Sequence, residues 1–379
     1  MQIVIRYFLI VLTILSAPFK LMAETIKDQI AVSYSYYSDN VGVDVYSPFV
    51  SLQKRLSEKW GMNASFQVDA ISAASMRRGN GNVTDAVIID AVSGASGRAG
   101  YDDVRVAPTL SFTYENEDFV WNFGMYYSNE VDYDTVAGFT EVSSGFNDAN
   151  TVLSIGASYE EAEWSPIINR DLHDDKKTQR QLNASIMQLL NASSYIQIRG
   201  SYIVQDGFLS SPYHYLIEDS FAQFDRYPDS RNSIALAFQY VTELIEDTSM
   251  HINYRYYDDD WEIESHTIEG NLYYDVMENL TLGARGRYYT QEAAEFAKPL
   301  GSYDVNDRYI VSDYKFTEFD TTTLGVSMHY KPGFFEDEAL GLQLSYDYYA
   351  TDDNEYIQNW YGESKIEADM VTFALTYDF

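Results

Sequence analysis

The chain has no cysteine among its 379 residues. That absence excludes disulfides, thiolate catalysis and thiolate attachment of metal or haem together. No run of about 18 apolar residues follows residue 23 either, so the chain beyond that point cannot cross a bilayer as a bundle of helices. Basic residues are scarce. The 25 Lys and Arg stand against 58 Asp and Glu, a formal charge of −33, and repulsion on that scale excludes nucleic acid as a partner. Familiar catalytic patterns are missing too. Gly79-Asn80-Gly81 has no third glycine and no strand-to-helix context, and Gly94-Ala95-Ser96-Gly97 is not a nucleophile elbow. Asp132-x-Asp134 opens like a calcium loop, but Val136 and Ala137 stand where a ligand and a glycine are needed. The expectation is a protein with no cofactor, no metal site in its interior and no catalytic residues.

What is present begins with a leader. Arg6, the apolar stretch Tyr7 to Leu15 and the triplet Leu21-Met22-Ala23 read as a secretory signal peptide cut before Glu24, too short for a spanning helix. Residues 1–23 are then the leader and 24–379 a single exported domain. At the other end, Val371, Phe373, Leu375, Tyr377 and Phe379 alternate with Thr372, Ala374, Thr376 and Asp378. A period of two with one apolar face is a β-strand. A strand that ends the chain on Phe379 resembles the closing strand of a bacterial outer-membrane β-barrel, the segment read by the barrel-assembly machinery. An edge strand of a soluble sandwich is the alternative.

The rest of the chain favours the barrel. Tyrosine (34), phenylalanine (20) and tryptophan (5) supply 16% of the residues, and barrels carry aromatic girdles at both membrane interfaces. The mean hydropathy of −0.30 does not argue against this, because half of each barrel strand faces a wet lumen. Two-residue periodicity recurs over 29–38, 43–55, 59–71, 104–115, 118–128, 131–142, 150–161, 178–190, 193–205, 231–243, 248–257, 261–276, 280–290, 318–331, 338–350 and 367–379. This predicts an all-β, antiparallel transmembrane barrel of about 16 strands, with 14 as the alternative. Every second connection is short, as at Glu115-Asn116-Glu117 or Pro332-Gly333, whereas the long segments 72–103, 206–230 and 291–317 fall among the others. That alternation is the pattern of short periplasmic turns and long outer loops. The 72–103 segment, with its apolar Val87-Ile88-Ile89, is a candidate for folding back into the lumen, or else a surface loop.

Candidate lumen-lining residues follow from strand parity: Arg199, His251, Arg255, Glu269, Arg285, Arg287 and His329. A turn at Met277-Glu278-Asn279 places Val276 across from Leu280 and hence Glu269 across from Arg287, predicting a cross-strand ion pair. These arginines either neutralise acids within the wall or form a charged eyelet that sorts solutes by charge. His251 and His329 fall near the periplasmic end, while His173 and His214 fall in outer loops. His173 with Asp174 and Asp175 is the best enzymatic candidate. The acidic runs Asp258-Asp259-Asp260 and Asp352-Asp353 read as solvated loops, or as places where Ca²⁺ or Mg²⁺ is shared with lipopolysaccharide phosphates.

One stretch carries a family resemblance. Tyr254-Arg255-Tyr256-Tyr257-Asp258-Asp259-Asp260-Trp261, then Glu264-Ser265-His266-Thr267, then Arg285-Gly286-Arg287-Tyr288-Tyr289-Thr290-Gln291 with Glu292 to Phe296, resembles the DUF3570 family of outer-membrane proteins. Asp69 to Ser75 and Asp90 to Ser96 are similar to that family's early loop. Glu262 stands where the family more often has glycine, and Ala297 where it has an aromatic residue. The resemblance implies a barrel in a Gram-negative outer membrane, in contact with lipid and lipopolysaccharide, and brings no activity with it. The expected function is a non-enzymatic, porin-like channel for small hydrophilic solutes, with cations favoured by the acidic mouth. A barrel plugged by its loops and acting as a scaffold or assembly partner is the second reading, and an outer-membrane hydrolase the third.

Overall fold

Alternating sequence builds a wall with two unlike faces, and the computed structural model closes that wall on itself. It describes residues 28–73, 101–165, 175–212, 214–218, 221–333 and 340–379. The leader, most of the 72–103 segment, His173 and Asp174 lie outside the described residues. The wall strands are β1 (Gln29–Asp39), β2 (Val43–Arg55), β3 (Trp60–Ala73), β4 (Tyr101–Glu115), β5 (Val120–Asn129), β6 (Tyr133–Phe146), β7 (Thr151–Trp164), β8 (Asp175–Asn191) and β9 (Ser194–Gly207). After a small hairpin of β10 (Tyr215–Glu218) and β11 (Phe221–Phe224), the wall resumes with β12 (Ser230–Ile245), β13 (Thr248–Asp259), β14 (Glu264–Met277) and β15 (Leu280–Gln291). It ends with β16 (Phe319–Tyr330), β17 (Leu340–Thr351) and β18 (Glu367–Asp378).

Each wall strand pairs antiparallel with its neighbours in sequence, β9 with β12 across the hairpin, and β1 pairs with β18, giving a closed barrel of sixteen strands. Closure runs from Gln29 opposite Asp378 to Asp39 opposite Ala368. Phe379 extends it, its N–H donating to the Asp28 carbonyl at 2.9 Å, with the Lys54 ammonium 4.9 Å above its ring. A closed sheet leaves no unpaired edge.

The two faces differ as their residues require. Leu324 and Val326 are each 59% exposed on the outside of β16, whereas Thr323 between strand neighbours on the inside is 1% exposed. The same outward apolar exposure recurs at Ile155, Leu182 and Ile268. A belt of that extent is not the surface of a protein bathed in water.

Several local expectations need correction. β3 runs to Ala73 and β4 starts at Tyr101, so both strands reach into the segment read as loop. β16 ends at Tyr330 and β17 starts at Leu340, and residues 334–339 of the connection expected at Pro332-Gly333 lie outside the described residues. The β14–β15 turn is tighter than expected. Met277, not Val276, pairs with Leu280, and a bulge between Asp275 and Met277 then restores the register. The same bulge next to a two-residue turn recurs at Glu243/Ile245 and Leu189/Asn191. A bulge there increases the local right-handed twist, which suits a tight hairpin.

An apolar core of buried side chains lies at the barrel end opposite the termini. There the connections 208–229, 260–263, 292–318 and 352–366 pack together around Trp261, Phe296, Ile310, Val311, Ile357 and Ile366. This cap sits against Tyr257, Tyr289 and Tyr349, which point inward from the wall. A short helix, α1 (Glu355–Tyr361), completes it. Asn354 caps its start by accepting from the N–H groups of Tyr356 and Ile357, and Gly362 ends it at φ 81°, a conformation glycine adopts without strain.

Candidate functional site

Strand parity and register bring most of the sequence-derived lumen residues into one band. Arg255 on β13 and Arg199 on β9 occupy the same rung, with the small Ala237 of β12 between them. One residue pair further down the wall, Asn253, Glu269, Arg287, Thr323 and Tyr349 form a continuous rung across β13 to β17. Below that, His251, Asn271, Arg285, Gly325 and Asp347 form the next. Glu269 therefore faces Arg287 as the register requires, and its Oε1 accepts from Asn271 Nδ2 at 3.0 Å.

A close ion pair in the band joins Arg285 to Asp347, Nη2 to Oδ1 at 3.0 Å, spanning β15 to β17. The span is possible because Gly325 lies between them: a Cβ there would stand 1.9 Å from Asp347 Oδ1. Sequence reading missed this role of Asp347. The signal was a glycine flanked across both ladders by an arginine and an acid, legible once the register is known. Even so, Arg285 Nε and Nη2 make no hydrogen bond among the described residues. The guanidinium of Arg255 lies 6.0 Å from the centre of the Tyr257 ring.

His251 and His329 are not brought together. Each faces Tyr273 from a different side, with ring centres at 5.1 and 6.5 Å. Both lie towards the end that carries the termini, where the sequence put them.

Two charged pairs hold the rim above the band. Arg105 Nε donates to Asp69 Oδ2 at 2.6 Å, with Tyr126 hydroxyl 3.0 Å from Arg105 Nη1. Arg231 pairs with Asp259, which also accepts from the Tyr257 hydroxyl at 2.7 Å and from the N–H groups of Trp261 and Ile263. Asp259 is thus a buried keystone of its turn, a correction to its reading as part of a solvated acidic run. Asp352 accepts from Asp320 N–H at 3.0 Å, and Asp353 from the Ser364 hydroxyl at 2.7 Å. Among the described residues, no group of three or more His, Asp or Glu side chains is arranged to hold a metal ion.

The cap contains a polar nest that sequence reasoning missed. His214 stacks on Trp360 at 4.7 Å, and its Nδ1 stands 4.0 Å from Asp313 Oδ2, beyond hydrogen-bond reach. Asp225 Oδ2 accepts from Ser312 N–H at 3.1 Å and from the Tyr227 hydroxyl. Both His214 ring nitrogens, Asp225 Oδ1, Ser312 Oγ and Trp360 Nε1 lack a partner among the described residues. Burial pushes the Asp225 carboxyl up to about 6 and raises that of Asp313. Burial likewise lowers the Lys315 ammonium to about 7, although Asp313 Oδ2 is 3.6 Å away. No periodicity marks these residues, and their meeting depends on loops far apart in sequence.

A family model described as "Protein of unknown function (DUF3570)" matches residues 12–175 and 164–377. No curated protein matches the chain in sequence. Among solved structures, a bacterial polysaccharide outer membrane secretin is similar with a TM-score of 0.52 and 9% identity, over 93% of this chain and 98% of that one. The outer membrane protein opdK from Pseudomonas aeruginosa gives 0.46 and 8% identity, over 94% and 100%. The siderophore receptor PirA from Pseudomonas aeruginosa gives 0.44 and 11%, over 88% of this chain, which spans 57% of that receptor. At these identities the likeness is one of fold.

Proposed function

The chain belongs to the DUF3570 family, and on that footing we propose that it is a non-enzymatic barrel of the outer membrane that passes small hydrophilic solutes. The observation that carries this reading is the contrast between the two wall faces. Outward positions of β17 read Leu342, Leu344 and Tyr346, while inward ones read Gly341, Gln343 and Ser345. An inner wall of hydroxyl, amide and guanidinium groups keeps water, and a sixteen-stranded wall is wide enough to enclose a channel.

The membrane placement gains support from tyrosines on the outer face near the cap end. Their hydroxyls donate to outward carboxylates on the next strand: Tyr36 to Asp44, Tyr288 to Asp320, Tyr346 to Asp369 and Tyr348 to Glu367, at 2.5–2.8 Å. Rings with a polar tip suit the headgroup level of a bilayer. The partners of this reading are outer-membrane lipid and lipopolysaccharide, the barrel-assembly machinery acting on Phe379, and divalent cations shared between lipid phosphates and the acidic loops.

Planar-bilayer recording of the pure, folded protein tests the channel. Stepwise conductance is the expected result, and a complete lack of conductance overturns it. The cap favours one competitor, a plugged barrel that serves as a scaffold for periplasmic or surface proteins. That reading requires no conductance together with a co-purifying partner.

A further inference from the structure

We propose that the arginine band is an oxyanion site, which binds small solutes carrying carboxylate or phosphate groups and makes the lumen prefer anions although the chain is strongly acidic. The inference rests on the reading of the lumen as wet and open to solutes.

The acidic total does not describe the lumen. Asp44, Asp320, Glu367 and Asp369 stand on the outer face, tied to tyrosines, and Asp225 and Asp313 are inside the cap. Within the band itself, the four guanidiniums of Arg199, Arg255, Arg285 and Arg287 meet Glu269, Asp347 and Glu141 of β6, the last of which attracts Arg199. Among the described residues no carboxylate lies within ion-pair distance of Arg255, whereas Arg285 is paired with Asp347.

The facing wall supplies one inward carboxylate at that height, Glu141 of β6, across the ladder from Asn122. In the closed strand order, β3 to β5 lie across from β13 to β15, and at mid-height their inward residues are Ser65, Thr109, Ser111 and Asn122. At this height four guanidiniums face three carboxylates, Glu269, Asp347 and Glu141, so a small positive excess is left, centred on Arg255. Guanidiniums present planar forks of donors that match carboxylate and phosphate oxygens two at a time. Glu269, clamped by Asn271, and Asp347, admitted by Gly325, act as positioning groups that hold the arginines apart and upright. Ala237 keeps space open between Arg199 and Arg255.

The test is calorimetric titration of the full, detergent-folded chain with succinate and, separately, inorganic phosphate, against putrescine as the cationic comparison. Binding of either anion and none of putrescine is expected, and the two anion arms separate carboxylate from phosphate preference. The double variant Arg255→Gln/Arg285→Gln, with folding checked by its heat-dependent gel mobility, should weaken binding by roughly tenfold or more. Arg308→Gln, a loop arginine remote from the band, should leave it unchanged. No anion binding by the wild-type chain, or equal binding by the double variant, overturns the proposal. Reversal potentials in a salt gradient separate this from the channel reading. Binding without conductance defeats the channel and leaves the site; cation-selective conductance indifferent to the double variant defeats the site and leaves the channel.

Discussion

Single residues in this wall are chosen by what their neighbours across the ladder need. Glu262 adopts φ 65°, the left-handed conformation that suits glycine, at the position where its family more often has glycine. Glu262→Gly should therefore raise the stability of the β13–β14 turn by about 1 kcal/mol, read as a higher unfolding midpoint in urea with an unchanged slope. Asp225 makes the cap sensitive to pH. Its carboxyl titrates near 6 rather than 3.8, so the folded cap holds that proton more tightly than the unfolded chain does. Its contribution is fully present below about 3.8 and is lost as the pH rises through 6, a difference of about 3 kcal/mol. Lys315, lowered to about 7, works oppositely, its contribution being lost as the pH falls from 10.5 through 7, so little of it changes below that point. Between pH 7 and 5 the Asp225 effect therefore dominates. Cap amides of 292–318 should exchange more slowly at pH 5 than at pH 7 after correction for intrinsic rates, and Asp225→Asn should remove most of the difference.

At the scale of elements, strands were legible in the sequence and the cap was not. A tilted strand writes its two faces into alternate residues wherever lipid lies outside and water inside, so Leu340 to Tyr348 or Met250 to Tyr256 can be read without knowing their partners. The register that sets Glu269 opposite Arg287 was legible because a hairpin turn fixes it, and the bulge at Asp275/Met277 preserved it against a turn that was misplaced. Asp347 escaped notice as the partner of Arg285 because it lies two strands away, across a glycine. The cap escaped because its apolar residues follow no period. Trp261, Phe296, Ile310 and Ile357 belong to three connections that meet only once the wall is closed. Trp261 holds its place through Nε1 donating to the Ser230 carbonyl at 2.8 Å and through Arg231, whose guanidinium lies 4.6 Å from its ring centre. Trp261→Ala should cost the cap about 3–5 kcal/mol. It should leave the barrel closed, speed proteolysis within 292–318 and enlarge any single-channel conductance. Asn354→Ala, which removes the cap of α1, should cost about 1 kcal/mol and act in the same direction more weakly.

For the whole molecule, everything depends on closure: without β1 on β18, the apolar belt has an edge and the arginine band has no facing wall. The cysteine-free chain permits a direct test on a clean background. Ser35 and Thr372 face each other across the closing pair, hydroxyl to hydroxyl at 2.9 Å. A chain carrying Ser35→Cys and Thr372→Cys should form one disulfide under mild oxidation. Linking residues so far apart in sequence, it should change gel mobility under denaturing, non-reducing conditions, reversibly on reduction. Thr113→Cys with Asn122→Cys, within a single hairpin, serves as the comparison pair. Free thiols at 35 and 372 in membranes where the hairpin pair oxidises would contradict a closed barrel.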